Sequence, residues 1–424
     1  MVSLLDNFNQ VSLHNPSEEI LKLYSHIEEI YEIDPRGYNI TRPLFSHSDM
    51  PNFLNTPTVN IEDFQWDKPF IYSVVLHHNN ALAAEYLNLI PKKILEQIKE
   101  KKCKLVLDNT MEGDEVTRFF KAIYNSIEEL KLPASQIYYV TNSLIAENEH
   151  KIWLSKNPTI KEHINVISFM YNVMDVQRLR NLNHLPKVVD IEKEIYYKEK
   201  NIDNIKPFLK VNRTGRPERN LFMLYLNKYD LYRKFLLSFP EYPDYKLPSN
   251  VLSQISVQEN IDSLKEKCPF DIDQTDKDNH GPPGAGIGKF NADLPFDPIH
   301  YRNSMISFVM CAFPFVDGCC HLHSSTFNPI YCGHPVIQFG PHNHLEILKS
   351  LGFKTFDRWW DESYDQEEEG WVRFQGVLRN LNMLRVYDQR QILSIYRSMQ
   401  DVLQHNSDLI QNYNIKKVLI DRIL

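Results

Sequence analysis

Glycine is scarce in this chain, with 13 in 424 residues, and aromatic residues are abundant at 12%. Together with 42% hydrophobic residues, this excludes fibrous and disordered classes and leaves a globular chain long enough for two or three domains. Long apolar runs are also missing. The longest, Ile306–Val316, is too short for a membrane-spanning helix, which needs roughly 18 residues or more, and reads as a buried strand. The N-terminus shows no charged segment followed by an apolar core, so no signal peptide is expected. Six cysteines, Cys103, Cys268, Cys311, Cys319, Cys320 and Cys332, follow no framework spacing and predict free thiols in a reducing cytosol, that of a host if the protein is viral. Net charge is −8, and the basic residues are scattered apart from short clusters such as Lys101-Lys102-Cys103-Lys104. A basic stripe of the kind that binds nucleic acid non-specifically is absent, so nucleic acid enters only as a conceivable acceptor substrate. No G-x-G-x-x-G run opens a helix after a strand, and no nucleophile elbow is present, which leaves dinucleotide oxidoreductases and α/β-hydrolases without support.

What is present is alternation. After an amphipathic helix expected over Asn15–Asp34 and an irregular lead-in over 35–68, strands are predicted at Ile71–Leu76, Lys104–Asp108, Gln136–Thr141 and Ile164–Phe169. Helices are predicted at Ala81–Lys99 and Asp114–Leu130. Asp190–Asn204 reads as a polar linker. A second series then begins with a strand at Phe208–Val211, a helical pattern from about Arg216 to Phe239, strands at Ser304–Cys311 and Pro335–Phe339, and a helix at His342–Leu351 stopped by Gly352. The terminal segment from about Asp388 is helical. The fold class is therefore α/β, two Rossmann-like domains facing across a cleft, spanning 1–200 and 206–424, with C-terminal helices. Ligands of parallel sheets sit at carboxyl strand ends, which draws attention to His77, His78, Asn79, Asp108, Asn109, Thr141 and Asn142.

Four constellations stand out. Asn212 to Arg219 places Arg213, Arg216 and Arg219 around a strand-to-helix turn, where helix N–H groups and guanidinium forks suit a diphosphate; a solvated basic turn is the plain alternative. His280 to Lys289 looks like a phosphate loop but puts Pro283 at the first glycine position and Phe290 where magnesium would be held, so Gly281–Lys289 is expected to be exposed and to bind no phosphate. Cys319, His321 and His323 would share one face of a strand, with Cys332, His334, His342 and His344 downstream, but the spacing matches no standard zinc site and ordinary thiols and histidines are expected. Phe353 to Asp365 is dense in aromatics and carboxylates and reads as a packed loop anchored by its rings.

Two stretches resemble a family of GT-B-like glycosyltransferases associated with marine bacteriophages and bacteria. One is Phe208-Leu209-Lys210-Val211-Asn212-Arg213 through Arg219. The other runs from Thr326-Phe327-Asn328-Pro329-Ile330 through Phe339-Gly340 and Leu351-Gly352-Phe353 to Asp361-Glu362-Ser363-Tyr364-Asp365. The resemblance covers roughly 70–385. It implies a nucleotide sugar held by the second half, an unknown acceptor (glycan, protein or modified DNA base) presented by the first, and no metal or other cofactor. On that pattern Arg213, Arg216, Arg219, Ser324, Ser325 and Thr326 would bind the donor, and His77, His78 or Asp108 would serve as acceptor base. The chain departs from the family where members carry a Ser-Glu-Lys-Thr-like run, here His323-Ser324-Ser325-Thr326, and where a second Glu falls on Cys311. Ser324 cannot act as the carboxylate that holds a donor ribose, nor Ser325 as the cation that supports phosphates. The rival expectation is therefore a non-catalytic descendant, a binding or virion-associated protein that keeps the fold.

Overall fold

A computed structural model describes residues 3–5, 58–59, 69–76, 87, 90, 92–110, 116–173, 176–177, 188–211, 217–239, 258–270, 298–311, 314–315 and 320–423. The helix expected over Asn15–Asp34 and the glycine-containing loop Gly281–Lys289 lie outside these residues.

Two parallel sheets organise the chain. The first joins β1 (Ser3–Leu5), β2 (Thr58–Val59), β3 (Phe70–Val75), β4 (Cys103–Asn109), β5 (Ile137–Thr141) and β6 (Asn165–Ser168) in the order β2-β1-β3-β4-β5-β6. The second joins β7 (Lys206–Val211), β8 (Phe235–Ser238), β9 (Ser304–Met310) and β10 (Val336–Phe339) in the order β10-β9-β7-β8. Every pairing in both sheets is parallel. Each sheet starts in its interior, adds its second strand on one side, and adds the later strands on the other. Strand order reverses between β1 and β3 in the first sheet and between β7 and β9 in the second. Such a reversal opens a crevice at the carboxyl ends.

The strands are nearly continuous apolar runs because helices cover both faces. In β9 all seven residues are buried. Between the strands of the first sheet lie α1 (Lys92–Lys99), α2 (Thr117–Leu130) and α3 (Ala146–Ser155). On α2, Phe119, Phe120, Ile123, Tyr124 and Ile127 recur at helical spacing and all face the sheet. The helix ends at Lys131, which adopts the left-handed conformation at φ 54°.

The stretch expected as a linker is instead α4 (Ile191–Lys200), capped by Asp190, whose side chain accepts from the Lys193 N–H at 3.1 Å. Its Ile191 and Ile195 pack into the second core, and its buried Lys198 donates to the Tyr301, Arg302 and Ser304 carbonyls. Many charges hid a helix whose two apolar positions are enough to dock it. The helical reading from Arg216 to Phe239 also needs correction. The helix α5 (Pro217–Lys228) ends early, and Phe235–Ser238 is strand β8. Asp230 sits at φ 51° between them, a break that helical periodicity does not show. Short apolar runs are ambiguous between helix and strand until pairing decides.

Beyond β8 come α6 (Gln258–Lys267), α7 (Pro298–Arg302), α8 (Ser324–Tyr331), α9 (His344–Ser350), α10 (Gly370–Leu384), α11 (Gln389–Ser398), α12 (Gln400–Asn412) and α13 (Ile415–Ile423). Gly352 follows α9 at φ 94°, as its stop position requires. The last helix returns to the first sheet. Leu419 and Ile423, both fully buried, pack on Ile71, Val106, Tyr138, Val140, Ile167 and Phe169. Arg422 fixes that docking by an ion pair to Glu147 at 2.7 Å and a bond to the Val166 carbonyl at 3.1 Å. Among the described residues no helix is long and apolar enough to cross a membrane.

Candidate functional site

The strand reversal of the second sheet lies between the carboxyl ends of β7 and β9. Lys210, one residue before the end of β7, is buried, and its ammonium stands over the Phe222 ring at 5.9 Å from the centroid. Burial, reinforced by the charge of Arg219, holds the ammonium well below the usual lysine range; Glu218 and the Cys311 sulfur act the other way. The helix α5 opens here with Pro217 at its first position, where a missing N–H costs nothing. Its first turn carries buried polar groups with unused bonding capacity: one carboxylate oxygen of Glu218, and both amide atoms of the fully buried Asn220. Buried polar atoms are rarely left unbonded, so these two side chains mark the turn as a place where a polar ligand has something to gain.

Of the expected arginines, Arg219 lies on α5, half-buried, and its charge is felt at both Lys210 and Cys311. Arg213 and Arg216 lie outside the described residues. Cys311, directly after β9, accepts a hydrogen bond from Gln338 Nε2 at 2.7 Å, and its sulfur is 3.9 Å from Thr326 Oγ1. Gln338 Nε2 also donates to Thr326 Oγ1 at 3.1 Å. Burial pushes the Cys311 thiol up to about 11, against the hydrogen bonds from Gln338 and Thr326. Thr326 is thus tied inside the edge, while Ser325 is half-buried at the start of α8. Ser324 opens that helix, and its side chain is outside the described residues. His323 caps the helix: its Nδ1 accepts from the Ser325 N–H at 3.3 Å.

Sequence reasoning missed the residue that holds this edge together. Arg373, on α10 and 1% exposed, donates to the Pro314 carbonyl at 2.6 Å, Gly340 at 3.2 Å, Glu367 at 2.5 Å and Glu368 at 2.6 Å. It ties the loop after β9 to the loop after β10. No motif signals a buried arginine that donates to backbone carbonyls. The Phe353–Asp365 loop is anchored by buried Phe353, Phe356, Trp360 and Tyr364, as its aromatics suggest, and its acids are brackets. Glu362 accepts from the Phe356 N–H at 2.9 Å and Asp365 from Leu345 N–H at 2.9 Å; Asp365 also pairs with His344 Nδ1 at 2.5 Å.

The downstream histidines disperse. His334 sits at the amino edge of the second sheet, bonded to Ser307 Oγ at 3.0 Å and the Tyr301 carbonyl at 2.5 Å, and His344 at the carboxyl edge. Among the described residues no three His, Cys, Asp or Glu side chains gather as they would around a metal ion.

On the first sheet, Asp108 is buried near the end of β4. Its Oδ1 accepts from Thr110 N–H at 3.0 Å and Thr110 Oγ1 at 2.6 Å. His77 and His78 lie outside the described residues. The residues after β5 touch the second half directly. Ser143 pairs with His321 in an antiparallel bridge, and Leu144 N–H donates to the Cys320 carbonyl at 2.9 Å. Asn142 Oδ1 meets His321 Nδ1 at 2.8 Å, and Asn172 donates to the Leu322 carbonyl at 2.8 Å. The segment 320–323 leads into α8, so the carboxyl edges of both sheets converge on this seam.

No protein-family model matches the chain, and no curated protein does. A solved structure described as trehalose-6-phosphate from E. coli bound with UDP-2-fluoro glucose aligns over 86% of this chain and 82% of that one, at 13% identity and a TM-score of 0.36. A likeness at that level does not by itself establish a common fold. The architecture rests on the strands themselves: two parallel α/β halves with opposed carboxyl edges and C-terminal helices, the last returned to the first half.

Proposed function

We propose that this protein is a glycosyltransferase of GT-B type that moves a sugar from a nucleotide-sugar donor to an acceptor. The observation that carries the reading is the set of groups at the β7/β9 reversal. It combines a helix N-terminus, a buried lysine, Arg219, and the unbonded polar atoms of Glu218 and Asn220. A nucleoside diphosphate needs positive charge at its phosphates and polar partners at its nucleoside, and this turn offers both. In this reading Arg213, Arg216 and Arg219 stabilise the diphosphate as it leaves, and Ser324, Ser325 and Thr326 border the donor. The half built on the first sheet presents the acceptor and the half built on the second sheet holds the donor. The acceptor base comes from the carboxyl edge of the first sheet, where Asp108 stands and which His77 and His78 directly follow in sequence.

The second reading is a binding protein descended from such enzymes. It is favoured by Ser324 and Cys311, which stand where the family pattern carries a Glu; Cys311 is instead a buried thiol bonded to Gln338. Calorimetric titration with UDP-glucose and GDP-mannose separates the two. The enzyme reading expects binding that Arg219→Ala weakens by about 1–3 kcal/mol, the cost of one lost charged hydrogen bond. Absence of heat with either donor rejects it.

A further inference from the structure

A groove of about 590 Å³ runs along the amino edge of the first sheet. Its walls are the turns that enter β4, β5 and β6, so it lies at the opposite end of those strands from the seam with the second half. The seven residues of β4 separate the two edges by roughly 20 Å. Lys99, Lys101, Lys131 and His163 line the groove, over a floor that includes the buried Leu132. Among the described residues Glu162 is the one carboxylate lining it. The whole chain carries a net charge of −8, so cations gathered here run against its average.

Two observations set these cations apart from an ordinary solvated face. First, basic residues just outside the groove have partners. Lys102 pairs with Glu100 at 2.8 Å, Lys161 donates to the Pro158 carbonyl at 3.0 Å, and Lys104 donates to the Ile423 carbonyl. Among the described residues no carboxylate pairs with Lys99, Lys101 or Lys131, and no carbonyl accepts from their ammonium groups. The partial negative charge of a helix end attracts lysines, but it acts through the last carbonyls, which these three do not bond. Second, Lys101 and Lys131 follow α1 and α2 in the left-handed conformation, at φ 59° and 54°. Glycine is the usual residue at such a helix end. The other non-glycine residues with positive φ among those described are Asp230 and Asn343, types whose short polar side chains tolerate it. A lysine has no such compensation. Backbone strain of this kind gathers where function uses it, and both lysines meet in the same groove.

We propose that this groove binds an anion bearing two or more phosphoryl groups, at a site separate from the donor turn at the start of α5. Three ammonium groups beside an imidazole supply more charge than one carboxylate neutralises, and lysine meets phosphate as a point charge. The volume lies within the range of small-molecule sites. The proposal stands independently of the glycosyltransferase reading.

The probe is tripolyphosphate, titrated calorimetrically into the full chain. Binding that weakens as NaCl rises is expected. Lys101→Gly combined with Lys131→Gly is expected to weaken it by about 100-fold, roughly tenfold for each charged hydrogen bond lost. Tm should stay the same or rise, because glycine relieves both left-handed positions. Lys99→Gln, at an exposed helical position, is expected to cost about tenfold and serves as the readout if the glycine pair does not fold. Lys102→Ala combined with Lys161→Ala removes the same charge outside the groove and is expected to leave the affinity within about twofold. An equal loss in both pairs makes the effect one of net charge and overturns the site. The donor turn is a second place for a polyphosphate, so the titration is repeated in Arg219→Ala. Retained binding supports the groove; lost binding puts the ligand at that turn and overturns the proposal. No heat and no melting shift with tripolyphosphate in the wild type overturns it as well, whatever the nucleotide sugars do. Sedimentation with vesicles of phosphatidylcholine and phosphatidic acid distinguishes the source of the phosphoryl groups. Co-sedimentation that the glycine pair loses indicates a lipid headgroup, and tripolyphosphate binding without co-sedimentation indicates a free ligand.

Discussion

Replacing Arg373 by methionine tests the account of the carboxyl edge. The substitution keeps most of the side-chain volume and removes the hydrogen bonds donated to the Pro314, Gly340, Glu367 and Glu368 carbonyls. Two acceptors, the Glu367 and Glu368 carbonyls, belong to exposed residues and recover water. The bonds to Pro314 and Gly340 are buried, and their carbonyls are left unpaired. At roughly 1–3 kcal/mol for each buried orphan, the loss is about 2–6 kcal/mol. Methionine avoids the desolvation of a buried guanidinium, which brings the net to the lower half of that range, about 2–4 kcal/mol. For a folding unit of roughly 200 residues this lowers Tm by about 4–16 °C. Arg373→Lys, which keeps the charge without the planar fork, should recover part of the loss. Differential scanning calorimetry reads both. A methionine variant melting within about 1 °C of wild type would refute the view that this side chain holds the two loops, because neither buried carbonyl could then have depended on it.

Gly340 packs so closely on the His344 ring that an added Cβ would lie 2.7 Å from Cγ, so Gly340→Ala should cost about 1–3 kcal/mol by denaturant titration, and a neutral result would mean the ring moves freely. Burial, with a smaller contribution from the charge of His163, lowers His150 to about 4 from an ordinary 6.5. The unfolded chain therefore takes up a proton before the folded one does. Stability from this group is full above pH 6.5 and falls as pH drops toward about 4, and His150→Phe should flatten that part of a urea-midpoint profile.

The sequence by itself determined that strands alternate with helices, and therefore that the sheets are parallel and covered on both faces. Apolar runs such as Ser304–Met310 and Val336–Phe339 admit little else. It placed Asp108 and Asn142 at carboxyl strand ends, and β4 and β5 do end at Asn109 and Thr141. It marked the aromatic loop at 353–365 as self-anchored, because rings that size must be buried somewhere. What it could not give were facts created by pairing and packing. Phe235–Ser238 is a strand because β7 is beside it, and four apolar letters carry no such information. Ile191–Lys200 is a helix because a second core receives Ile191 and Ile195. Arg373 reads as a surface cation until four backbone carbonyls surround it. His321 looked like one of several histidines near cysteines. Only the meeting of the two sheets, 179 residues apart along the chain, brings its Nδ1 within 2.8 Å of Asn142 Oδ1. Periodicity records the environment of one segment, whereas a hydrogen bond at a seam depends on two segments at once, and that second segment is supplied only by the tertiary fold.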